Sequence, residues 1–368
     1  MTTTMTLAIV STIALLAFVP LMSVLYQSYL RRNTRAFGAW SSLAICGSAS
    51  VVWLAVGAAV PGVAASALYL PVAAMAAVAA FLTTIIIRDQ FRPLVPVVLF
   101  AIAWTTGVFA PIAIAVFFPA AVGLNPAAAP ADLGGALLVH IVAGASVLVI
   151  VSLERRRPAR APIQRLTATR PVVLAALGLW AVWTVAMVGL ELAIDTVTVV
   201  IIVNMLVAPV TATAGFIVME RIILHRTTGR VAATGLICGL VAITPGCAYL
   251  DPAFGAFTGA IAGIVCGQVA IRGVRTTGRT AWFVVAAHLV AAAIGLVVLG
   301  PFILDVGLVY TGQSEGIVTQ VAAVLLASLW AAGVTFALWP LTRRLELLWE
   351  NATSRIGERA SSAVRPID

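Results

Sequence analysis

The sequence predicts an all-α polytopic membrane protein of eleven transmembrane helices, a 5+5 inverted repeat plus one C-terminal helix. Three observations carry this. Of 368 residues, 62% are hydrophobic and only 10% are charged, where soluble domains run near a quarter charged; the mean hydropathy is +1.11. Apolar runs long enough to cross the hydrocarbon recur from end to end. Every basic residue falls in alternate gaps between those runs. A water-soluble or purely peripheral protein is excluded.

The first run, 6–27, lacks a positive leader and continues straight into Leu30-Arg31-Arg32, so it is read as a retained helix and not a signal peptide. Runs at 39–59, 66–87, 94–118 and 134–153 complete the first five. A second five follow at 171–191, 197–219, 231–250, 255–271 and 281–302, and the last is 317–340. The expected organisation is a transmembrane domain over 1–340 and a cytoplasmic C-terminal tail over 341–368, which opens as an amphipathic helix around LELLWEN.

All 22 basic residues are arginine. The odd gaps hold Arg31, Arg32 and Arg35; Arg88 and Arg92; Arg155, Arg156, Arg157, Arg160, Arg165 and Arg170; Arg221, Arg226 and Arg230; and Arg272, Arg275 and Arg279. Arg343, Arg344, Arg355, Arg359 and Arg365 follow the last run on the same side. The even gaps carry acids such as Asp132, Asp195, Asp251, Asp305 and Glu315 and no base. The positive-inside rule then puts the N-terminus outside and the C-terminus inside the cytoplasmic membrane. The net charge of +9 is orientation, not nucleic-acid binding. Cys46, Cys238, Cys247 and Cys266 lack metal-ligand spacing and read as packing.

Ionisable groups inside hydrocarbon are costly and therefore mark function. His225 reads as a solvated loop residue, whereas His140 and His288 each lie about a third of the way into the fifth run of their half, from opposite faces. An odd number of helices per repeat inverts the second copy, which brings corresponding positions together near the midplane. Two facing imidazoles share one proton and leave one donor and one acceptor for a pore. Charging such a pair in a dry environment is expensive, so it stays neutral, and the pore suits a small neutral base whose proton moves separately. Bare potassium or sodium would find no ring of carbonyls or carboxylates.

The segments that carry these residues resemble the ammonium transporter, methylammonium permease and Rhesus family along nearly the whole chain. DLGGALLVH, residues 132–140, followed by IVAGASVLVIVSLERRR, resembles the family's fifth helix. His288 in WFVVAAHLVAAAIGLVVLG falls where the family has its second pore histidine. GLVAITPGCAYLDPAFGAFTGAIAGIVC, residues 239–266, is similar to the eighth and ninth helices, and VLYQSYLRRNTRAFGAW to the end of the first.

The resemblance implies a homotrimer with one pore per subunit, conducting ammonium by deprotonating it outside and passing ammonia along twin histidines, His140 and His288. It implies that Asp132 supports the outer recruitment site, that Trp183 replaces one of two gate phenylalanines, and that Ala74 stands near the lost second. Phe117 stands where a tryptophan usually covers the recruitment site, and Met187 where a serine is common. Weaker recruitment follows, because tryptophan and serine supply cation–π attraction and a hydrogen bond. The resemblance also implies coupling of the C-terminal tail to a cytosolic PII-type regulator. A non-conducting ammonium sensor or regulatory subunit with the same fold is the alternative.

An enzyme is not expected, nor a cofactor or metal, since two imidazoles without nearby acid or cysteine ligands assemble no reactive site. Gly255, Gly259, Gly263 and Gly267 recur every four residues and read as helix packing. Trp180, Trp282, Trp339 and Trp349 read as interface residues, and Glu191 and Asp195 as solvated.

Overall fold

The computed structural model describes residues 2–27, 38–90, 93–154 and 169–363. Arg31, Arg32, Arg35, Arg92, Arg155, Arg156, Arg157, Arg160, Arg165 and Arg365 of the expected inner face lie outside them.

Among the described residues, eleven helices of more than ten residues follow one another, with only short turns of helix between them: α1 Thr3–Gln27, α2 Ala39–Ala59, α3 Tyr69–Gln90, α4 Leu94–Phe117, α5 Leu137–Leu153, α6 Thr169–Leu190, α7 Thr196–Leu224, α8 Gly229–Ile243, α9 Pro252–Thr277, α10 Ala281–Phe302 and α11 Glu315–Ala363. Their starts are written in the sequence. Asp195 opens α7 with a capping box, Thr228 caps α8, and Asp251 accepts from Ala253 N–H at 2.8 Å with Pro252 in the first turn of α9. Gly278 in the left-handed region ends α9, and the exposed His225 does the same for α7.

Among the described residues, nine helices are long and apolar enough to cross a bilayer. The other two, α5 and α8, are shorter apolar helices, so length alone does not confirm the expected eleven spans. The reason lies at their ends. The chain ahead of α5 is a loop, and α8 stops at Thr244 before Pro245 and a run of turns to Leu250. Irregular backbone at such depth is tolerated only inside protein. Here Cys247 and Leu250 are buried, and Asn204 of α7 donates from Nδ2 to the carbonyls of Cys247 at 2.9 Å and Leu250 at 2.8 Å. Asn204 therefore stitches a broken segment while α7 runs unbroken through Pro209.

Close approach sets the second half. A Cβ on Gly259 would sit 2.2 Å from the Ala208 carbonyl, and one on Gly263 would sit 2.1 Å from the Ala212 carbonyl, so α7 and α9 touch backbone to backbone. α3 is almost wholly buried from Val72 to Ile87 and forms the centre of the first half. The outer faces are apolar: Trp40 of α2 is 82% exposed, Leu174 of α6 67% and Leu329 of α11 69%. Such a surface in water would aggregate; in a bilayer it meets hydrocarbon.

Three helices contain one π-helical turn: Thr105–Phe109 in α4, Leu137–Ile141 in α5 and Ala286–Val290 in α10. Pro111 has no N–H to offer the Gly107 carbonyl, and Trp330 of α11 donates to it at 2.9 Å. The other two turns carry His140 and His288, at corresponding positions in the two halves.

Three expectations need adjustment. Glu191 is not simply solvated: its Oε2 accepts from the Thr198 hydroxyl at 2.7 Å, its Oε1 is buried, and burial raises its pKa. Trp339 is no interface residue, since it is 3% exposed and donates to Glu154 Oε1 at 3.2 Å. Trp180 donates to the Met205 carbonyl. The last helix, from Glu315, runs through Pro340 to Ala363. Arg343 joins it to α5, with Nε 3.4 Å from Glu154 Oε1 and a second contact to Glu346.

Candidate functional site

The site is built where α5 and α10 touch. A Cβ on Gly144 would lie 2.6 Å from the backbone nitrogen of Leu289, so the two helices meet one turn below His140 and one residue past His288. This contact brings the imidazoles together nearly parallel, edge to edge at their Nδ1 atoms, with ring centroids 5.0 Å apart and an interplanar angle of 21°. Their Nδ1 atoms are 3.1 Å apart. Two nitrogens at that distance hold one hydrogen between them, so one ring donates and the other accepts. The pair is buried, at 2% and 0% exposure.

The rings continue the stack in both directions. Trp183 of α6 lies over His140 with centroids 5.4 Å apart at 29°, and Phe18 of α1 tilts over Trp183 at 4.7 Å. On the other side the Tyr26 hydroxyl bonds His288 Nε2. Phe18 and Tyr26 are eight residues apart on one face of α1, so a single helix brackets the histidine pair from both ends. α1 is held on α6 by the Ser11 hydroxyl, which donates to the Ala186 carbonyl at 3.0 Å.

Trp183 is fixed by more than stacking. Its Nε1–H donates to Thr244 Oγ1 at 3.0 Å, and that hydroxyl donates to the Leu240 carbonyl at 2.7 Å. The next residue, Pro245, accepts from Leu133 N–H at 3.1 Å. The broken end of α8 thus touches both the aromatic ring over His140 and the loop that leads into α5.

Asp132 heads that loop. Its two carboxylate oxygens accept from Ala136 N–H at 2.7 Å and Leu137 N–H at 2.8 Å, which satisfies the start of α5 and its π turn. Burial pushes the carboxyl up to about 6, against the lowering effect of the N–H groups of Leu137, Ala136 and Gly135. Gln320 of α11 ties the same loop by donating to the Ala131 carbonyl at 3.0 Å.

Of the residues singled out in the sequence, the structure brings together His140, His288 and Trp183. Asp132 reaches them through the helix it caps. Met187 packs against Gly134, where an added Cβ would meet its Sδ at 2.6 Å. Ala74 is buried in α3, and Phe117 ends α4 half-buried, outside the ring stack. Phe18, Tyr26 and Thr244 were not legible as site residues. The spacing of Phe18, Met22 and Tyr26, every four residues on one helical face, was the available signal.

Among the described residues no group of three or more histidine, cysteine or acidic side chains could hold a metal. The four cysteines are free and buried.

An ammonium transporter of Bacillus subtilis (strain 168) is 32% identical over 196 residues, 51% of this chain and 46% of that protein. One of Mycobacterium tuberculosis (strain ATCC 25618 / H37Rv) is 30% identical over 209 residues, 55% of this chain and 44% of that protein. The matched stretch spans about half the length of these curated relatives. The fold is that of Candida albicans Mep2, with a TM-score of 0.81 at 20% identity over 94% of this chain and 85% of that one. A sensor Amt protein has a TM-score of 0.72 at 18% identity over 92% of this chain and 93% of that one. The model of the Ammonium Transporter Family matches residues 36–353, and the chain belongs to that family.

Proposed function

We propose that this chain conducts ammonium across a bilayer as ammonia and a proton, with His140 and His288 as the proton-sharing residues of the pore. The observation that carries this is the buried Nδ1–Nδ1 contact of 3.1 Å between corresponding π turns of the two halves. With His288 Nε2 taken by Tyr26, the neutral pair offers ammonia one free nitrogen, His140 Nε2, as donor or acceptor according to tautomer, without a fixed charge, and it relays a proton by exchanging tautomers. Asp132 supports the outer mouth, Trp183 serves as the gate ring, and Phe117, Met187 and Ala74 stand at the mouth, as the family resemblance implies.

The same reading takes eleven crossings, with α5 and α8 completing theirs through buried loops, and an outer N-terminus and inner C-terminus in the cytoplasmic membrane. It takes a homotrimer as the working form, with the residues from 341 onward as a tail available to a cytosolic PII-type regulator.

A sensor that binds ammonium without conducting it is the second reading. The indole lying over His140 favours it, and one of the similar structures is a sensor Amt protein.

The deciding experiment is electrical. The full chain in liposomes adsorbed on a supported membrane should give a current on an ammonium jump, and His140→Ala or His288→Ala should abolish it or relax its selectivity towards potassium. Unchanged ammonium-specific current in both variants would overturn the histidine assignment. Ammonium binding without current in the unmodified chain would establish the sensor.

A further inference from the structure

A ring that gates a pore has to be held and has to be released, and in this chain the holding is a directed hydrogen bond. An indole carries an N–H that a phenyl ring lacks. The Trp183 N–H is aimed at Thr244 Oγ1 at 3.0 Å, inside a region where all four groups, Trp183, His140, His288 and Thr244, are 2% exposed or less. The Thr244 hydroxyl spends its own hydrogen on the Leu240 carbonyl at 2.7 Å. That leaves its lone pairs facing the indole, so the acceptor is oriented before the ring arrives. Contact with His140 on one side and the tilted Phe18 ring on the other sets the plane of the indole; the hydrogen bond fixes its rotation within that plane.

We propose that Thr244 is a positioning residue that latches Trp183 face-on over His140, so that the ring is a held shutter and its release limits flux. Thr244 touches substrate nowhere in this account; it acts through the indole. Its place at the broken end of α8 gives the latch reach. The methyl group of Thr244 lies where a Cβ on Gly134 would meet it at 2.4 Å, and the adjacent Pro245 carbonyl accepts from Leu133. Displacement of the loop that carries Asp132 therefore bears on the residue that holds the ring. The consequence for flux rests on the conduction reading above. The latch itself does not.

The test separates the two. The full chain is labelled with 5-fluorotryptophan in lipid nanodiscs, and the Trp183 resonance is assigned by its loss in Trp183→Phe. In Thr244→Val, which keeps the shape and removes the acceptor, the resonance is expected to shift and broaden. In Thr244→Ser, which restores the hydroxyl, it is expected at the original position. Initial uptake of labelled methylammonium into liposomes should rise about two- to tenfold in Thr244→Val, the population change that loss of one neutral hydrogen bond sets. Thr244→Ser should keep the unmodified rate.

An unmoved resonance in Thr244→Val, or one displaced equally in Thr244→Ser, would overturn the latch. A moved resonance with unchanged uptake would overturn the claim that release limits flux. A moved resonance with no methylammonium uptake and no ammonium current in any variant would leave the latch standing and sink the conduction reading. Should Thr244→Val not accumulate, Trp183→Phe breaks the same hydrogen bond from its other end and carries the flux measurement.

Discussion

His140 and His288 face each other through their Nδ1 atoms at 3.1 Å, and Tyr26 bonds the far nitrogen of His288. This fixes two proton arrangements. In one, the tyrosine hydroxyl donates to His288 Nε2, His288 Nδ1–H donates to His140 Nδ1, and His140 presents Nε2–H. In the other every hydrogen bond reverses and His140 presents a bare Nε2. In neutral protein the two rings must therefore be opposite tautomers.

Nitrogen-15 spectra of histidine-labelled protein should show, for these two residues, one Nδ1–H and one Nε2–H ring. Tyr26→Phe removes the group that bonds His288 Nε2, so His288 should shift its tautomer balance while His140 follows in the opposite sense. Two rings of the same tautomer would contradict the shared hydrogen.

Gly144 sits against the backbone of Leu289, one turn from His140. An added methyl has no soft neighbour to displace, because the nearest atoms belong to Leu289 N, Cα and Cβ. Gly144→Ala should destabilise the protein by about 1–3 kcal/mol, the usual cost of forcing extra carbon into a packed interior. The thermal midpoint in detergent measures this, and loss of ammonium current should accompany it as the histidines part.

Ser146 is the hub of a buried network outside the ring stack. It accepts from Trp104 Nε1 at 2.9 Å and from the Thr335 hydroxyl at 2.8 Å, and donates to the Val142 carbonyl at 2.7 Å. Ser146→Ala strands two buried donors from two other helices and should cost about 1–3 kcal/mol. The denaturation midpoint should fall more than for Ser152→Ala, whose hydroxyl is exposed on the same helix. Equal effects would show that the network carries no load.

Asp132 gives a pH signature. Its folded carboxyl lies at about 6, above the ordinary 3.8, so the folded state holds a proton that the unfolded state gives up. The stability this group lends is complete below 3.8 and is lost as pH rises through about 6. Asp132→Asn cannot ionise and escapes that loss. The difference in thermal midpoint between the two proteins should narrow as pH rises across this window. A difference constant with pH would place the carboxyl at its ordinary value.

Much of the fold was legible because the bilayer admits so few solutions. A chain with arginine confined to alternate gaps and apolar runs between them has to be a helical bundle. His140 and His288 stood out for the same reason, as polar rings in dry surroundings. Asp132 was legible as an acid at the head of α5, but its work as a double acceptor for Ala136 and Leu137 needed coordinates of the loop.

Periodicity could not show where helices stop short. The apolar residues from Thr244 to Leu250 continue the hydropathy of α8 while the backbone leaves the helix, because Asn204 supplies the hydrogen bonds that make the break affordable. Nor could it show that the last helix continues to Ala363, since a polar stretch can remain helical outside lipid.

What the sequence determined by itself was which segments are apolar enough for hydrocarbon and which two histidines fall within them, since transfer free energy is a property of each side chain taken alone. The tertiary structure alone decided that α1 brackets the pair with Phe18 and Tyr26, and that Thr244 meets the indole of Trp183. Those are contacts between helices distant in the chain, set by glycine-permitted approach distances and hydrogen-bond geometry, and neither leaves a period in the sequence.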